Sequence, residues 1–149
     1  MPGERYLIDS NVLIRWLRPE VSEFRFVVRA IRQLEETDDT PCYTSQNLCE
    51  FWNVLTRPAD RNGYGLTPSE ADIRAREVEA KFLLLHDALA VHLEWRKLIV
   101  DHGVSGAHVH DARFVAAMHI HGVKRVLTFN TRDFARFDDI EAIHPLQMA

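Results

Sequence analysis

The 149-residue sequence has little of what would confine it to a special class. Its only cysteines are Cys42 and Cys49. Two are too few for a disulfide framework, and they lack the short paired spacing of a zinc ribbon, so both read as reduced and structural. No apolar run approaches the ~20 residues of a membrane span; Phe82-Leu83-Leu84-Leu85, for instance, is broken by His86-Asp87. Met1-Pro2-Gly3-Glu4-Arg5 is not followed by a long apolar segment, so no secretory signal is read, and a cytoplasmic protein without membrane contact is expected. Positive charge is not in excess either. With 18 Lys and Arg against 22 Asp and Glu, the net charge of −4 lacks the overall footprint of a nucleic-acid binder. A phosphate-bearing substrate would have to be held locally. The stretch from Lys124 to Arg136, with Lys124, Arg125, Arg132 and Arg136 against Asp133, offers a place for it, although a solvated basic face would read the same way. Repeats, low-complexity tracts and linkers are also missing. What remains, 46% hydrophobic and 27% charged, is the composition of a globular chain long enough for one domain over residues 1–149.

The periodicities alternate between strand and helix. A short apolar strand is predicted over Arg5–Ile8, then a helix over residues 11–17 with Val12, Leu13, Trp16 and Leu17 at helical spacing. A second helix is expected over Val21–Glu36 and a strand near residues 41–44. Ser45 reads as the N-cap of a helix whose stripe Leu48, Phe51, Trp52, Leu55 ends at Pro58. Arg57–Pro68 is Pro/Gly-rich and reads as a loop. Thr67-Pro68-Ser69-Glu70 is a capping box opening a helix to about Ala80. Phe82–Leu85 is then a candidate buried strand, and residues 88–101 a helix. Another helix is expected from about Val109 to His121, stopped by Gly122. Strands follow at 124–128 and near 140–143. Such alternation implies a three-layer α/β/α fold on a central parallel sheet of about five strands, with ligands bound outside the strand carboxyl ends at a switch in strand order.

Four acids draw attention on this scaffold. Asp9 ends the first strand, Glu50 lies on the helix after Ser45, beside Asn47, Asn53 and Val54, and Asp111 falls in the first turn of its helix. Asp133 follows the strand at 124–128. Each has an ordinary alternative: Asp9, Asp111 and Asp133 as caps or dipole partners, Glu50 as a surface residue. Brought together, they would repel one another unless a cation sat among them, and hard oxygen ligands suit Mg²⁺ or Mn²⁺. Asp9 and Asp111 meet only if the strands of Asp9 and Thr128 are neighbours.

Taken together, four segments resemble the PIN-domain ribonucleases, and among them the VapC-type toxins of bacterial toxin–antitoxin pairs. They are the opening strand ending in Asp9-Ser10-Asn11, the run from Glu50-Phe51-Trp52-Asn53 to Pro58, His110-Asp111-Ala112-Arg113, and Leu127-Thr128-Phe129-Asn130-Thr131-Arg132-Asp133-Phe134. The likeness covers nearly the whole chain. It implies an acid quartet of Asp9, Glu50, Asp111 and a fourth position in the last segment. Many members have Asp where Asn130 stands here, which leaves Asp133 as the nearest ionised candidate and Asn130 as a neutral contact. The implied activity is hydrolysis of RNA phosphodiesters by water, with one or two Mg²⁺ or Mn²⁺ ions. In this reading Asp9 and Asp111 are primary ligands, Glu50 orients or activates water, and Asp133 completes the shell. Ser10, Asn11, Thr128 and Asn130 would support them, and Arg113 or Arg132 would hold phosphate. The implied partners are an RNA substrate, a cognate antitoxin and a second copy of the chain in a homodimer.

Other readings place different demands on the sequence. His108, His110, His119 and His121 raise the thought of a zinc or iron site, and His110-Asp111 that of the HD phosphohydrolases, which are largely helical. A receiver-like signalling module would also gather acids around Mg²⁺ at strand ends. However, it expects a lysine after the last strand, where Phe129 and Asn130 stand, and it leaves Glu50 unexplained. A PIN fold that only binds RNA or a partner is the remaining alternative.

Overall fold

The computed structural model describes residues 3–148. Five strands, β1 (Arg5–Ile8), β2 (Thr40–Thr44), β3 (Leu83–Leu85), β4 (Arg125–Leu127) and β5 (Glu141–Ile143), form a parallel sheet in the order β3-β2-β1-β4-β5. The helices are α1 (Ser10–Trp16), α2 (Phe24–Glu36), α3 (Ser45–Thr56), α4 (Pro68–Lys81), α5 (Leu89–His102) and α6 (His108–His121).

The strand alternation sorts these elements into three layers. Tyr6 and Ile8 of β1, Tyr43 of β2 and Leu127 of β4 pack in one core with α1 to α4. Leu7, Cys42 and Val126 point the other way, into a second core with α5 and α6. Every strand of a sheet covered on both faces must be apolar on both, which is why these strands read as continuous hydrophobic runs. The three-layer α/β/α fold with a five-stranded parallel sheet is therefore as the sequence implied.

Local chemistry sets the helix positions. α2 buries Val27, Ala30, Ile31 and Leu34, the i, i+3, i+4, i+7 stripe of an amphipathic helix. α4 opens with the expected box: Thr67 accepts from the Glu70 amide at 3.2 Å, and Glu70 accepts from the Thr67 amide at 3.1 Å. α6 ends at Gly122, whose φ of 69° is the left-handed conformation that favours glycine.

Three expectations need correction. The N-cap of α3 is Thr44, not Ser45: the Thr44 hydroxyl accepts from the Asn47 amide at 3.2 Å, and Asn47 Oδ1 accepts from the Thr44 amide at 2.8 Å. Both residues are good caps, and the box with Asn47 decides between them. α2 begins at Phe24 rather than Val21, because residues 21–24 form a separate turn in which the Phe24 amide donates to the Val21 carbonyl at 3.2 Å. Finally, Leu83 and Leu84 are 42% and 43% exposed, and only Leu85 of β3 is buried. β3 is an edge strand, so its segment reads as core by composition alone.

Candidate functional site

The proviso on strand neighbours is met. β1 pairs with β4, Ile8 opposite Leu127, and the Asp9 amide donates to the Leu127 carbonyl at 3.0 Å. β2 lies on the other side of β1, so the order of connection reverses here and leaves a crevice at the strand carboxyl ends.

Asp9 sits in that crevice as both strand end and N-cap of α1. Its Oδ1 accepts from the Ser10 amide at 2.7 Å and its Oδ2 from the Thr128 hydroxyl at 2.7 Å. Asn11 joins α1 to the β4 exit: its Nδ2 lies 3.5 Å from both Asp9 Oδ2 and Thr128 Oγ1, and its Oδ1 accepts from the Phe129 amide at 3.3 Å. Burial pushes the Asp9 carboxyl up to about 6. The hydrogen bonds from Thr128 and Ser10 oppose the shift, and the negative charges of Glu50 and Asp111 add to it.

Glu50 reaches the same place from α3. Its neighbour Phe51 is fully buried, worth about 1.5–3 kcal/mol, and this fixes the rotation of the helix about its axis. Glu50 Oε2 accepts from the Ser10 hydroxyl at 2.7 Å, so one residue holds two acids, Asp9 through its amide and Glu50 through its side chain. Asn47, completely buried, donates to the Ser10 oxygen at 3.1 Å and locks it. Gln46 Nε2 spans from Glu50 Oε1 at 3.4 Å to the His110 carbonyl at 2.9 Å, tying α3 to the start of α6.

Asp111 is in the first turn of α6. Burial raises its carboxyl above the ordinary range; the bond to His108 opposes this, and the charges of Asp133 and Glu50 reinforce it. His108 Nδ1 lies 3.2 Å from Asp111 Oδ2. Asp133 stands on the 3-10 turn Thr131–Phe134, which begins where its amide donates to the Asn130 carbonyl at 3.1 Å. Ligand atoms of His108, Asp111 and Asp133 lie within 4.8 Å of one another. Asn130 is exposed, and its amide donates to Thr128 Oγ1 at 3.0 Å. It serves the turn through its backbone and delivers Asp133 three residues later.

The fold thus brings all four acids into one electrostatic neighbourhood, with Ser10, Asn11 and Thr128 against them. The proposed phosphate contacts are less directly placed. Arg113 pairs with Asp87 at 3.3 Å and Arg132 is exposed. Arg125, part of the basic stretch, is at the opposite end of β4, bonded to Glu4, Glu141 and Tyr6, so that stretch does not act as one patch. Among the described residues no Lys or Arg forms an ion pair with Asp9, Glu50, Asp111 or Asp133. Clustered carboxylates with no Lys or Arg partner fit a hard divalent cation such as Mg²⁺ or Mn²⁺.

Sequence reasoning missed three contributors. Asn47 was signalled by its place three residues after Thr44. Gln46 carried no signal beyond proximity to Glu50; His108 reads in the sequence among the histidines of a zinc or iron site but not with the acids. Arg15, whose guanidinium lies 4.6 Å from the centre of the Phe129 ring and donates to the Asn11 carbonyl at 2.7 Å, pins the β4 exit loop.

Fold and site together define a parallel α/β domain with an acidic, cation-ready crevice at its strand switch. The PIN domain family model matches residues 6–140, and the chain belongs to that family. Solved structures share the fold. VapBC2 from Rickettsia felis, bound to a promoter DNA fragment, is 10% identical with a TM-score of 0.67, over 94% of this chain and 98% of that one. DNA-bound VapBC from Salmonella typhimurium is 17% identical with a TM-score of 0.67, over 95% and 98%. VapC20 from Mycobacterium tuberculosis, a sarcin-ricin loop cleaving toxin, is 14% identical with a TM-score of 0.61, over 89% and 95%. At these identities the likeness speaks for the fold. No curated protein sequence matches the chain significantly. No helix among the described residues is long and apolar enough to cross a membrane.

Proposed function

We propose that this chain, acting as a single domain, is a divalent-metal-dependent endoribonuclease and the toxin of a toxin–antitoxin pair. The observation that carries the reading is the convergence of Asp9, Glu50, Asp111 and Asp133 with no Lys or Arg paired to them among the described residues. Solved neighbours that are toxin–antitoxin complexes, and one that cleaves the sarcin-ricin loop, support the pairing and the substrate class.

Asp9 and Asp111 would be the principal holders of Mg²⁺ or Mn²⁺, with Asp133 on the far side. The cation, when bound, supplies the charge that neutralises the acids, polarises the phosphodiester and makes water more acidic. The chain's own part is orientation and proton transfer. Thr128 and the Ser10 amide use one lone pair on each Asp9 oxygen and fix its rotamer, leaving the others directed into the crevice. The Ser10 hydroxyl holds Glu50 by Oε2 and Gln46 Nε2 lies 3.4 Å from Oε1, whose remaining lone pair would orient water and accept its proton. Arg132, exposed beside Asp133, is the better candidate for the RNA phosphate, since Arg113 is engaged by Asp87. An antitoxin peptide covering the acidic crevice and a second copy of the chain are the proposed protein partners, and the cytoplasm the proposed compartment.

The test is cleavage of a mixed cellular RNA pool by purified protein with Mg²⁺ or Mn²⁺ against EDTA, and by the Asp9→Asn variant. Cleavage that needs metal and is lost in the variant is expected. Metal-independent cleavage, or full activity in a folded Asp9→Asn protein, would overturn the proposal. A receiver-like module would instead form an acyl phosphate and cut nothing.

A further inference from the structure

The acid site has a nitrogen donor on its rim. His108 is the first residue of α6 and Asp111 lies three residues on, so the two side chains share one face of the first turn. The imidazole meets Asp111 at 3.2 Å, and Asp133 comes from a different element, the turn after β4, to complete a group whose ligand atoms all lie within 4.8 Å of one another. Asp9 and Glu50, linked through Ser10, form the other half of the site and contribute oxygen only.

We propose that His108 is a ligand of the site's divalent cation, and that its imidazole, with Asp111 and Asp133, makes this half of the site prefer Mn²⁺ to Mg²⁺. The inference rests on the nuclease reading and refines it. Mg²⁺ is a hard ion that dehydrates reluctantly and prefers oxygen, whereas imidazole raises affinity for first-row transition ions. A His–Asp–Asp group has the mixed nitrogen and oxygen character of a transition-metal site. The His108 side chain is 53% exposed, so the ring is free to turn either nitrogen inward, and losing it leaves no cavity in the core.

The experiment is calorimetric titration of the metal-free full chain with Mn²⁺ and, separately, Mg²⁺, in wild type and His108→Ala, together with pulsed EPR of the Mn²⁺-loaded proteins. Wild type should bind Mn²⁺ more tightly than Mg²⁺ and show ¹⁴N coupling to the manganese. His108→Ala should lose that coupling and weaken Mn²⁺ by at least about tenfold, with Mg²⁺ affinity little changed. Mn²⁺ binding without ¹⁴N coupling, or equal weakening of both ions, would make His108 a mere partner of Asp111 and overturn this inference alone. Failure of wild type to bind either ion would overturn the nuclease reading and this inference with it.

Discussion

The two ends of the central sheet treat charge in opposite ways. At the amino end Arg125, the first residue of β4, bonds to Glu4 at 2.8 Å and to Glu141, the first residue of β5, at 3.1 Å, while its guanidinium donates to the Tyr6 hydroxyl at 3.0 Å. At the carboxyl end Asp9, Glu50, Asp111 and Asp133 gather with no Lys or Arg paired to any of them among the described residues. The amino end satisfies its charges with each other in partial contact with water. The carboxyl end buries Asp9 to 9% exposure and leaves its charge to be met by something that arrives. The first arrangement closes a seam; the second stores electrostatic strain that the proposed cation would relieve.

The largest effect should follow from removing charge at the carboxyl end. Asp9→Asn or Asp111→Asn should lower metal-dependent RNA cleavage by more than about 10²-fold, because even groups that merely orient a metal ligand cost 10–100-fold. The far-ultraviolet circular dichroism spectrum should stay that of the wild type. Full cleavage in either variant would mean that this cluster is no more functional than the Arg125 seam.

The same substitution should strengthen the metal-free fold. The Asp9 carboxyl rises from its ordinary 3.8 to about 6 in the folded protein, mainly through burial. The folded state therefore holds a proton over that interval which the unfolded state has released, and stability falls as pH rises from about 4 to about 6, with no further loss from this group above that. At ~1.4 kcal/mol per pH unit, the penalty at neutral pH is on the order of 3 kcal/mol. Metal-free Asp9→Asn protein should thus melt higher than wild type at pH 7.5, and the gap should close toward pH 4. Adding Mn²⁺ should raise the wild-type Tm and leave the variant's nearly unmoved. A lower Tm for the variant in metal-free buffer would remove the strain from the comparison.

Ser10→Ala is a finer probe, since Ser10 is where two acids are held at once. Its amide bond to Asp9 survives the change, but Glu50 loses its 2.7 Å donor and Asn47 its acceptor. Cleavage should fall about 10–100-fold with metal affinity nearly kept, which separates the positioning of Glu50 from the holding of metal by Asp9 and Asp111. A parallel collapse of affinity would show that the two halves of the site are not distinct.

Much of the fold and of the carboxyl end was legible where the signals are local. A short apolar strand running into Asp9, the Thr67-Pro68-Glu70 box and the Gly122 stop each depend on a few adjacent residues, and each is found as read. What was not legible depends on registers and neighbours. Thr44 and Ser45 are equally good caps until Asn47 chooses. The exposure of Leu83 and Leu84 follows from the position of β3 at the sheet edge, which composition does not encode. His108 reads with the other histidines rather than with the acids for a similar reason: with α6 taken to start near Val109, it falls outside the helix, and the i, i+3 relation to Asp111 disappears.

The smallest effect belongs to the amino end. Arg125 is 36% exposed, and ion pairs in that setting are worth about 0–1 kcal/mol each. Arg125→Ala also loses the bond to the Tyr6 hydroxyl, so a destabilisation of about 1–2 kcal/mol is expected by urea unfolding. Cleavage and metal affinity should be unchanged, because β4 carries Arg125 and Thr128 at opposite ends and the Val126–Leu127 segment between them is fixed in both cores. A loss of activity larger than the loss of stability would mean that strain passes along β4 from one end to the other. The two ends would then be one device rather than two, and the acids would owe part of their geometry to a seam that never meets the substrate.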